Sequence, residues 1–538
     1  MFSYLRCFSV VLWLVFALPS SAFAQFQLAR LTASDGETGD RFGAAVAIDG
    51  DTIAVGAPYA RCVYVFREVG GNWIQEARLV APSLADSEFG SALDVEGNRL
   101  VVGAPGSLSG SSGQPRVYWY RRAGTFPFSV WSLQGSLVPP GSIDVAYGYS
   151  IAIEGGSVAI GHGPAVFNGG VPSPVHVFQL AATGATHEAA LVFANAFSNE
   201  GFGASLDWVG DTLLVGAPLA VGNAGRAYLF NKVGGAWGAS ISIPNPYPGG
   251  YFRFGSSVSL ANSMAAIGLP NYPGGALAAF AISPAGGVAI GSPIASSFPG
   301  SNFGQTVRVS GSYLLSVVPG TLPSSGSSGV QGRCGVFQFN GTTWTLAGAI
   351  ASGNPTQDEQ FGCSLDADNS RVVVGALTGN GRNPGSGTVL VYSLVPPPPV
   401  VHCTPKLNSA GCLARMASSG VCALSNTAPF LLSASSALNN KFGLLFFGVE
   451  GRANFPFQGG YLCVLPPTRR TNSQGSGGSA QGTDCSGSYS FDFNALVRSG
   501  AYPELAPGAL VNAQYWYRDP QAASTTGLTD AVEFGVGF

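Results

Sequence analysis

Residues 42–58 read FGAAVAIDGDTIAVGAP, and this stretch decides the fold of most of the chain. Residues 44–48 form an apolar segment that ends at Asp49-Gly50-Asp51, a sequence typical of a tight β-hairpin turn. Residues 52–56 then return as a nearly continuous apolar strand. Two further strands and the turn between them follow at residues 63–66, 70–73 and 75–80. The stretch therefore opens a unit of four short antiparallel strands.

Two motifs recur along the chain with a constant offset. An aromatic-glycine pair occurs seven times, 47 to 58 residues apart, and a motif of the Gly-Ala-Pro type begins fourteen residues after each aromatic. The aromatic residues are Phe42, Phe89, Tyr147, Phe202, Phe254, Phe303 and Phe361. The second motif begins at Gly56, Gly103, Gly161, Gly216, Gly268, Val317 and Gly375. Four-stranded units repeated at this period predict an all-β fold, a seven-bladed β-propeller.

The N-terminal segment is expected to complete the ring of blades. Residues 27–33 match residues 75–81, which are the fourth strand of unit 1. The last unit has only three strands and ends near Leu394. We therefore expect the N-terminal segment to be the fourth strand of blade 7, which leaves no free sheet edge between the first and last blades.

Over residues 25–395 these motifs resemble the FG-GAP repeat, which is known from the propellers of integrin α-subunits. The resemblance implies the same propeller fold. Integrin-type repeats carry a calcium loop between the two motifs, but the fourteen-residue offset here leaves room only for a tight turn such as Asp49-Gly50-Asp51. The chain looks like a compact bacterial variant of the repeat, so we expect no metal site and no other cofactor.

The composition favours an exported protein rich in turns. The 538 residues include 76 Gly and 36 Pro, only 10% are charged, and the net charge of −3 offers no basic surface for nucleic acid. Residues 1–24 read as a signal peptide, with Arg6 before an apolar run and Ala22-Phe23-Ala24 at the cleavage point. No other stretch is long and apolar enough for a membrane span. The sequence predicts a secreted or cell-surface protein with no transmembrane span in its mature form.

The repeat stops at a Pro-rich linker, residues 396–401, and residues 402–538 are expected to form a smaller β-sandwich-like C-terminal domain. Segments around residues 403–412, 462–464, 484–487, 515–520 and 527–530 look like a C-terminal module of secreted bacterial proteins. That resemblance suggests sorting, attachment or interaction and indicates no activity. We expect local disulfides, Cys403 with Cys412 and Cys463 with Cys485. The pairing of the other mature cysteines stays open: Cys62, Cys334, Cys363 and Cys422.

Candidate ligand contacts fall on one face of the predicted propeller. This loop face carries the connections from the second to the third strand of each unit and from the fourth strand to the next unit. Unit 5 places aromatic residues there that suit a sugar or a protein partner, although mutual packing of a long loop explains them equally well: Tyr247, Tyr251, Phe252 and Tyr272. Acidic residues of units 7, 1 and 2 also fall there, with loop solvation as the simpler explanation: Asp358, Glu359, Asp35, Glu37, Asp40, Asp86 and Glu88.

No catalytic residue is expected. There is no Gly-x-Ser-x-Gly elbow, and the four histidines, at 162, 176, 187 and 402, show no zinc-ligand spacing. The leading hypothesis is a non-catalytic binding or adhesion-type protein whose loop face binds a protein or glycan outside the cell. Two alternatives stay open: an extracellular hydrolase or lyase with a carboxylate site on the propeller face or C-terminal domain, and a purely structural cell-surface protein. A buried carboxylate pair or a histidine cluster in the central funnel would favour the enzyme.

Overall fold

β-Strands dominate the computed structural model, which describes residues 26–106, 114–141, 146–163, 173–182, 184–193, 200–247, 250–261, 263–296, 302–319, 332–352, 360–379, 381–424 and 426–537. The expected signal peptide, residues 1–24, lies outside these ranges and stays a prediction. The helices of the described residues are two short ones, α1 (Ala220–Asn223) and α2 (Phe493–Arg498).

Antiparallel sheets of four or five strands make up the chain as far as the Pro-rich segment, and we number them 1 to 7 after the repeat unit that each contains. Before them comes β1 (Phe26–Leu31). The other strands are β2 (Ala45–Asp49), β3 (Thr52–Ala57), β4 (Cys62–Val69) and β5 (Asn72–Val80) in sheet 1; β6 (Ala92–Glu96), β7 (Arg99–Ala104), β8 (Arg116–Ala123) and β9 (Val130–Ser136) in sheet 2; β10 (Tyr147–Glu154), β11 (Ser157–His162), β12 (Val175–Ala181) and β13 (Gly184–Leu191) in sheet 3; β14 (Ser205–Val209), β15 (Thr212–Ala217), β16 (Arg226–Val233), β17 (Ala236–Trp237) and β18 (Ile241–Pro244) in sheet 4; β19 (Val258–Ala261), β20 (Met264–Leu269), β21 (Ala276–Ser283), β22 (Gly286–Ala289) and β23 (Ile294–Ala295) in sheet 5; β24 (Val307–Ser310), β25 (Tyr313–Val318), β26 (Arg333–Phe339) and β27 (Trp344–Ala351) in sheet 6; and β28 (Phe361–Asp368), β29 (Arg371–Ala376) and β30 (Thr388–Ser393) in sheet 7.

Contacts between first strands connect the sheets. In chain order β2 contacts β6, β6 contacts β10, β10 contacts β14, β14 contacts β19, β19 contacts β24 and β24 contacts β28, while β28 also contacts β2. Sheet 7 has the strand order β1-β30-β29-β28, with Leu31 of β1 opposite Val389 of β30. The N-terminal strand is therefore the outer strand of the last sheet. The whole arrangement is consistent with a propeller-like fold.

Close contacts between glycines explain why both motifs carry this residue. A Cβ atom on the glycine of the second motif would overlap the carbonyl oxygen of the aromatic-glycine pair in the next sheet. The glycines concerned are Gly56, Gly103, Gly161, Gly216, Gly268 and Gly375, which face Gly90, Gly148, Gly203, Gly255, Gly304 and Gly43 in turn. The facing glycines have φ values between 85° and 95°, a left-handed region that other residues rarely adopt. Neighbouring sheets approach this closely because both positions lack a side chain.

The remaining residues form a second β-structure with its own core. Its strands are β31 (Val400–His402), β32 (Arg415–Ser419), β33 (Leu431–Ala437), β34 (Phe442–Gly448), β35 (Arg452–Phe457), β36 (Gly460–Val464), β37 (Arg469–Arg470), β38 (Gln474–Gly475), β39 (Gly487–Asp492), β40 (Leu510–Arg518) and β41 (Thr526–Gly535). One sheet has the order β31-β41-β40-β34-β37, with β38 also on β34, and another has the order β32-β33-β39. Leu432 of β33, Phe447 of β34 and Tyr515 of β40 are buried in the same cluster, so both sheets contribute to one core.

The expected disulfide pairing is wrong, although the same four cysteines are bridged. Cys403 pairs with Cys463 across a Cα–Cα distance of 6.2 Å, and Cys412 pairs with Cys485 across 6.3 Å. Nearness in sequence misled because Asn408 closes residues 408–412 into a loop, accepting a hydrogen bond from the Cys412 N–H at 2.9 Å. Cys403, which lies before this loop, and Cys412, which ends it, each pair with a cysteine from farther along the chain. Disulfides are consistent with an extracellular protein.

Replacing Gly103 with alanine should lower the midpoint of thermal unfolding. The added methyl group would have to displace the backbone of Gly148, and overpacking of this kind costs roughly 1–3 kcal/mol or more. Gly475→Ala is the matched control, because a Cβ atom there meets nothing within 4 Å. Equal midpoints for the two variants would contradict the close-approach explanation.

Non-reducing peptide mapping should recover one peptide that joins residue 403 to residue 463 and another that joins residue 412 to residue 485. The bridges close loops with sequence separations of 60 and 73 residues. Cys412→Ser should accordingly destabilise the C-terminal structure by ~2–5 kcal/mol, measured by calorimetry. A peptide joining Cys403 to Cys412 would contradict this pairing.

Candidate functional site

Three of the four predicted aromatic residues pack against one another near the loop face. The ring centroid of Tyr272 lies 5.0 Å from that of Phe252 and 6.3 Å from that of Tyr247. All three rings are partly buried against the shared core of sheets 4 and 5. Tyr251, in contrast, is 74% exposed. Mutual packing therefore accounts for Tyr247, Phe252 and Tyr272, and Tyr251 is free to contact a ligand.

Two cavities open on the loop face, one at Tyr251 and one at Arg253. The first, of about 450 Å³, lies between Tyr251 and the connection from β15 to β16, which includes Val221. The second, of about 430 Å³, is called the mouth cavity below. Both volumes fall in the roughly 300–1,000 Å³ range of small-molecule sites. Because Phe252 packs inward between them, Tyr251 and Arg253 face different cavities.

The mouth cavity is built from equivalent positions of four sheets. It is lined by polar residues that lie just before or just after the aromatic of their repeat, together with the turn residue Asn271: Tyr149, Arg253, Ser256, Asn302 and Gln305. Arg253 and Asn302 each precede the aromatic and have φ values of 53° and 50°. This left-handed conformation is uncommon outside glycine. Sequence reasoning missed Arg253, although its place beside Phe254 could have identified it.

The acidic residues predicted at Asp35 and Asp86 are engaged within the protein. The Tyr64 hydroxyl donates to Asp35 at 2.8 Å, and the Tyr118 hydroxyl donates to Asp86 at 2.8 Å. The Arg78 guanidinium also lies 2.8 Å from Asp35, and Asp86 is fully buried. Burial, with the hydrogen bond to Asp86, raises the pKa of Tyr118 to about 12. These two carboxylates hold the loops to the third strands of sheets 1 and 2.

The other predicted acidic residues do not form one site. Asp40 accepts a hydrogen bond from the Glu37 N–H at 2.7 Å, which closes a local turn. Burial raises the pKa of Glu88, and nearby Arg41 opposes this shift. Asp358 and Glu359 lie outside the described residues. Within the described ranges no group of three or more His, Cys, Asp or Glu side chains is arranged to hold a metal ion.

Acidic side chains at the opposite edge connect each sheet to the next. They accept hydrogen bonds from backbone N–H groups of the neighbouring hairpin turn, at 2.5 Å for Asp49 with Gly97, 2.6 Å for Glu96 with Gly155 and 2.9 Å for Asp368 with Gly50. The acidic side chains at these turns thus bind protein backbone.

A charged cluster in the interior joins first strands of several sheets, and sequence reasoning missed it as well. The Arg308 guanidinium of β24 lies 2.5 Å from Asp366 of β28 and 3.2 Å from Asp207 of β14. Asp94 of β6 interacts electrostatically with the same group. All four residues stand five positions after the aromatic of their repeat. Comparing this position across the seven repeat units would have predicted that the four residues lie together.

The three carboxylates of this cluster also stabilise backbone. Each accepts a hydrogen bond from an N–H group of the next first strand: Asp94 from Ile153 at 2.9 Å, Asp207 from Leu260 at 2.6 Å and Asp366 from Ile48 at 2.8 Å. Burial, and then the charge of Asp366, raise the pKa of Asp94 from 3.8 to about 8. A carboxyl with a raised pKa is typical of a general acid, so the cluster bears on the enzyme alternative. Its bonds to neighbouring strands indicate a structural role.

Three histidines lie together in sheet 3. The Nδ1 atom of His176 lies 3.1 Å from the Nε2 atom of His187, and the His162 ring centroid is 6.1 Å from that of His176. They belong to β11, β12 and β13, the three outer strands of the sheet. Burial lowers the pKa of His187. This group is therefore separate from the charged cluster of the first strands and does not provide the funnel histidines expected of an enzyme.

Comparison with known proteins identifies one repeat. A family model described as FG-GAP repeat matches residues 26–66, which contain Phe42-Gly43 and Gly56-Ala57-Pro58. The chain carries an FG-GAP repeat. No curated protein matches it. A chain of the solved structure "Crystal Structure of Mitotic Checkpoint Complex" aligns over 73% of this chain and 99% of its own length, with 10% identity and a TM-score of 0.43. A likeness this weak carries no argument about this chain.

Asp94→Asn should stabilise the protein increasingly as the pH rises from 5 to 8. In this range folded Asp94 holds a proton that the unfolded chain has released, because its pKa is raised from 3.8 to about 8. Stability from this group is therefore present at low pH and is lost as the pH rises towards 8. Asparagine does not titrate, so the difference in unfolding midpoint from the original protein should grow with pH. A pH-independent difference for Asp94→Asn would contradict the prediction.

Proposed function

We propose that this is an exported, non-catalytic binding protein whose first seven sheets are the blades of a closed β-propeller and whose loop face binds a protein or a glycan. The contacts of each first strand with the next, including β28 with β2, support the closed ring. The pairing of β1 with β30 supports closure of blade 7 by the N-terminal strand. The two disulfides are compatible with export. Neither described helix is long and apolar enough to cross a membrane.

One observation carries the binding role. Tyr251 and Arg253 are exposed on one short segment, and each lines a different cavity on the same face. Large exposed rings and guanidinium groups at the centre of a concave surface are typical of binding hot spots. The strands beneath are fixed by glycine contacts, so the loops present these groups from a rigid support.

The hydrogen bonds of the interior acids support the non-catalytic interpretation over a hydrolase or lyase. Asp94, Asp207 and Asp366 each bind a backbone N–H group of a neighbouring strand, and Arg308 neutralises part of their charge. A general acid or base has to reach a substrate proton within hydrogen-bond distance. Hydrogen bonds between neighbouring strands are therefore a sufficient structural explanation for these carboxylates.

Tyr251→Ala should weaken binding of partners that the mature protein captures from a glycan array or from extracellular protein. The expected loss is at least about fivefold, which corresponds to ~1 kcal/mol at a hot spot, with an unchanged unfolding midpoint because the ring is exposed. Val233→Ala is the matched control, since Val233 is 75% exposed on the hairpin at the opposite edge.

The Tyr272→Ala variant distinguishes a packing role of the aromatic residues from a binding role. Its ring contacts Phe252 and Tyr247, so this variant should lower the unfolding midpoint. If the original protein captures no partner at all, the binding role is wrong and a structural role takes its place. Turnover of a captured glycan that is abolished by Asp94→Asn would instead support the enzyme.

A further inference from the structure

We infer that the mouth cavity binds a carboxylated sugar, with the Arg253 guanidinium holding the carboxylate. This inference rests on the proposed function, because it names a ligand class for the loop face. It adds a binding residue, Arg253, and a chemistry that neither the repeat nor the predicted aromatic residues indicated.

Hydrogen-bonding groups without protein partners line this cavity. Within the described part of the chain, the side chains of Arg253, Asn271, Asn302 and Gln305 make no side-chain hydrogen bond or ion pair. Asn245, on the neighbouring cavity, differs, because its amide donates to the Ala224 carbonyl at 3.0 Å. The free groups of the mouth cavity can therefore bind a ligand without first breaking bonds within the protein.

The charge of the cavity favours an anion. No acidic side chain is among its described lining residues, whereas Arg253 places a positive charge there. Glu88 acts electrostatically on Tyr149 from outside the lining, and the charge of Arg41 opposes that of Glu88. Several other arginines of these sheets lie beside carboxylates, as Arg67 does with Asp51 at 2.7 Å and Arg371 with Glu68 at 2.6 Å. A planar guanidinium binds a carboxylate through two parallel hydrogen bonds. A single cation matches a single carboxylate better than a phosphate, which carries more charge.

The uncharged lining favours a sugar around that carboxylate. Asn and Gln amides donate and accept hydrogen bonds at once, as neighbouring sugar hydroxyls also do. Three such amides, from Asn271, Asn302 and Gln305, share the cavity with the Tyr149 ring, which is 40% exposed. An aromatic ring of this kind packs against the apolar face of a sugar. A volume of about 430 Å³ suits a small sugar unit better than a folded partner.

Arg253 shares its backbone conformation with the same position of other units. Its φ of 53° is a conformation that glycine adopts without penalty, whereas an arginine there is strained. Arg41 stands at the same position of unit 1 with a φ of 59°, but its guanidinium lies over the Tyr59 ring at 4.0 Å and outside the mouth cavity. The two arginines share a local conformation and differ in what they face. Arg41 is therefore a matched control.

The test is calorimetric titration of the mature protein with oligosaccharides that end in glucuronic, galacturonic or sialic acid, each paired with its neutral methyl ester. At least one acid should bind and its ester should bind at least tenfold more weakly. Arg253→Gln should lose at least tenfold in affinity for the acid, and Arg41→Gln should bind as the original does. Arg253→Gly should also lose binding while its unfolding midpoint stays the same or rises, which excludes misfolding as the cause.

Three results would overturn the inference and leave the proposed function intact. They are equal binding of acid and ester, unchanged affinity of the Arg253 variants, and capture of a loop-face partner by a protein that binds none of the acids. Failure to bind any glycan or protein would overturn the proposed function as well.

Discussion

Backbone contact between glycines of neighbouring sheets is the constraint on which the rest of the N-terminal structure depends. The carbonyl oxygen of one glycine occupies the space where the other would carry a Cβ atom, as at Gly56 and Gly90. This contact fixes how far the second strand of one sheet lies from the first strand of the next. The constant offset of fourteen residues between the two motifs follows from this contact, because a shorter or longer hairpin would move one glycine away from its partner. Unit 6 has Val317 at this position, and its side chain instead fills the space beside Gly362.

Close approach of the backbones also explains what the few charged residues of this chain do. Polar groups at the start of the first strands are satisfied by side chains from the neighbouring sheet, as when the Ser205 hydroxyl donates to Gly255 at 2.8 Å and that of Ser364 to Gly43 at 2.7 Å. Carboxylates at the turns and in the interior do the same for N–H groups. Leaving such groups unpaired in the interior would be costly. Among the described residues, many charged side chains thus have a structural task, whereas that of Arg253 makes no hydrogen bond or ion pair.

The sequence alone predicted the features that repeat along the chain. It did not predict contacts between residues that are far apart in sequence. The all-β character and the four-stranded sheets follow from a periodic pattern, which local hydrogen bonding and apolar alternation specify within each unit. The pairing of Cys403 with Cys463 could not be read in the same way, because it depends on how distant segments of the C-terminal structure fold over one another. The cluster around Arg308 joins residues from units that are far apart in sequence. Tyr251 was predicted, but its separation from the packed Tyr272 depends on rotamers that no pattern encodes.

The position before each aromatic shows where this repetitive structure can differ from unit to unit. Six of the seven residues there have positive φ, and only one of the six is glycine: Arg41, Glu88, Ala146, Gly201, Arg253 and Asn302. The backbone conformation is therefore set by the repeat, whereas the side chain is not. Glycine would fit every one of these positions with less strain, so a side chain there has a cost that the fold does not require. Equivalent positions with one backbone conformation and different side chains make the sheets differ from one another at this position, and such differences can select one ligand over another.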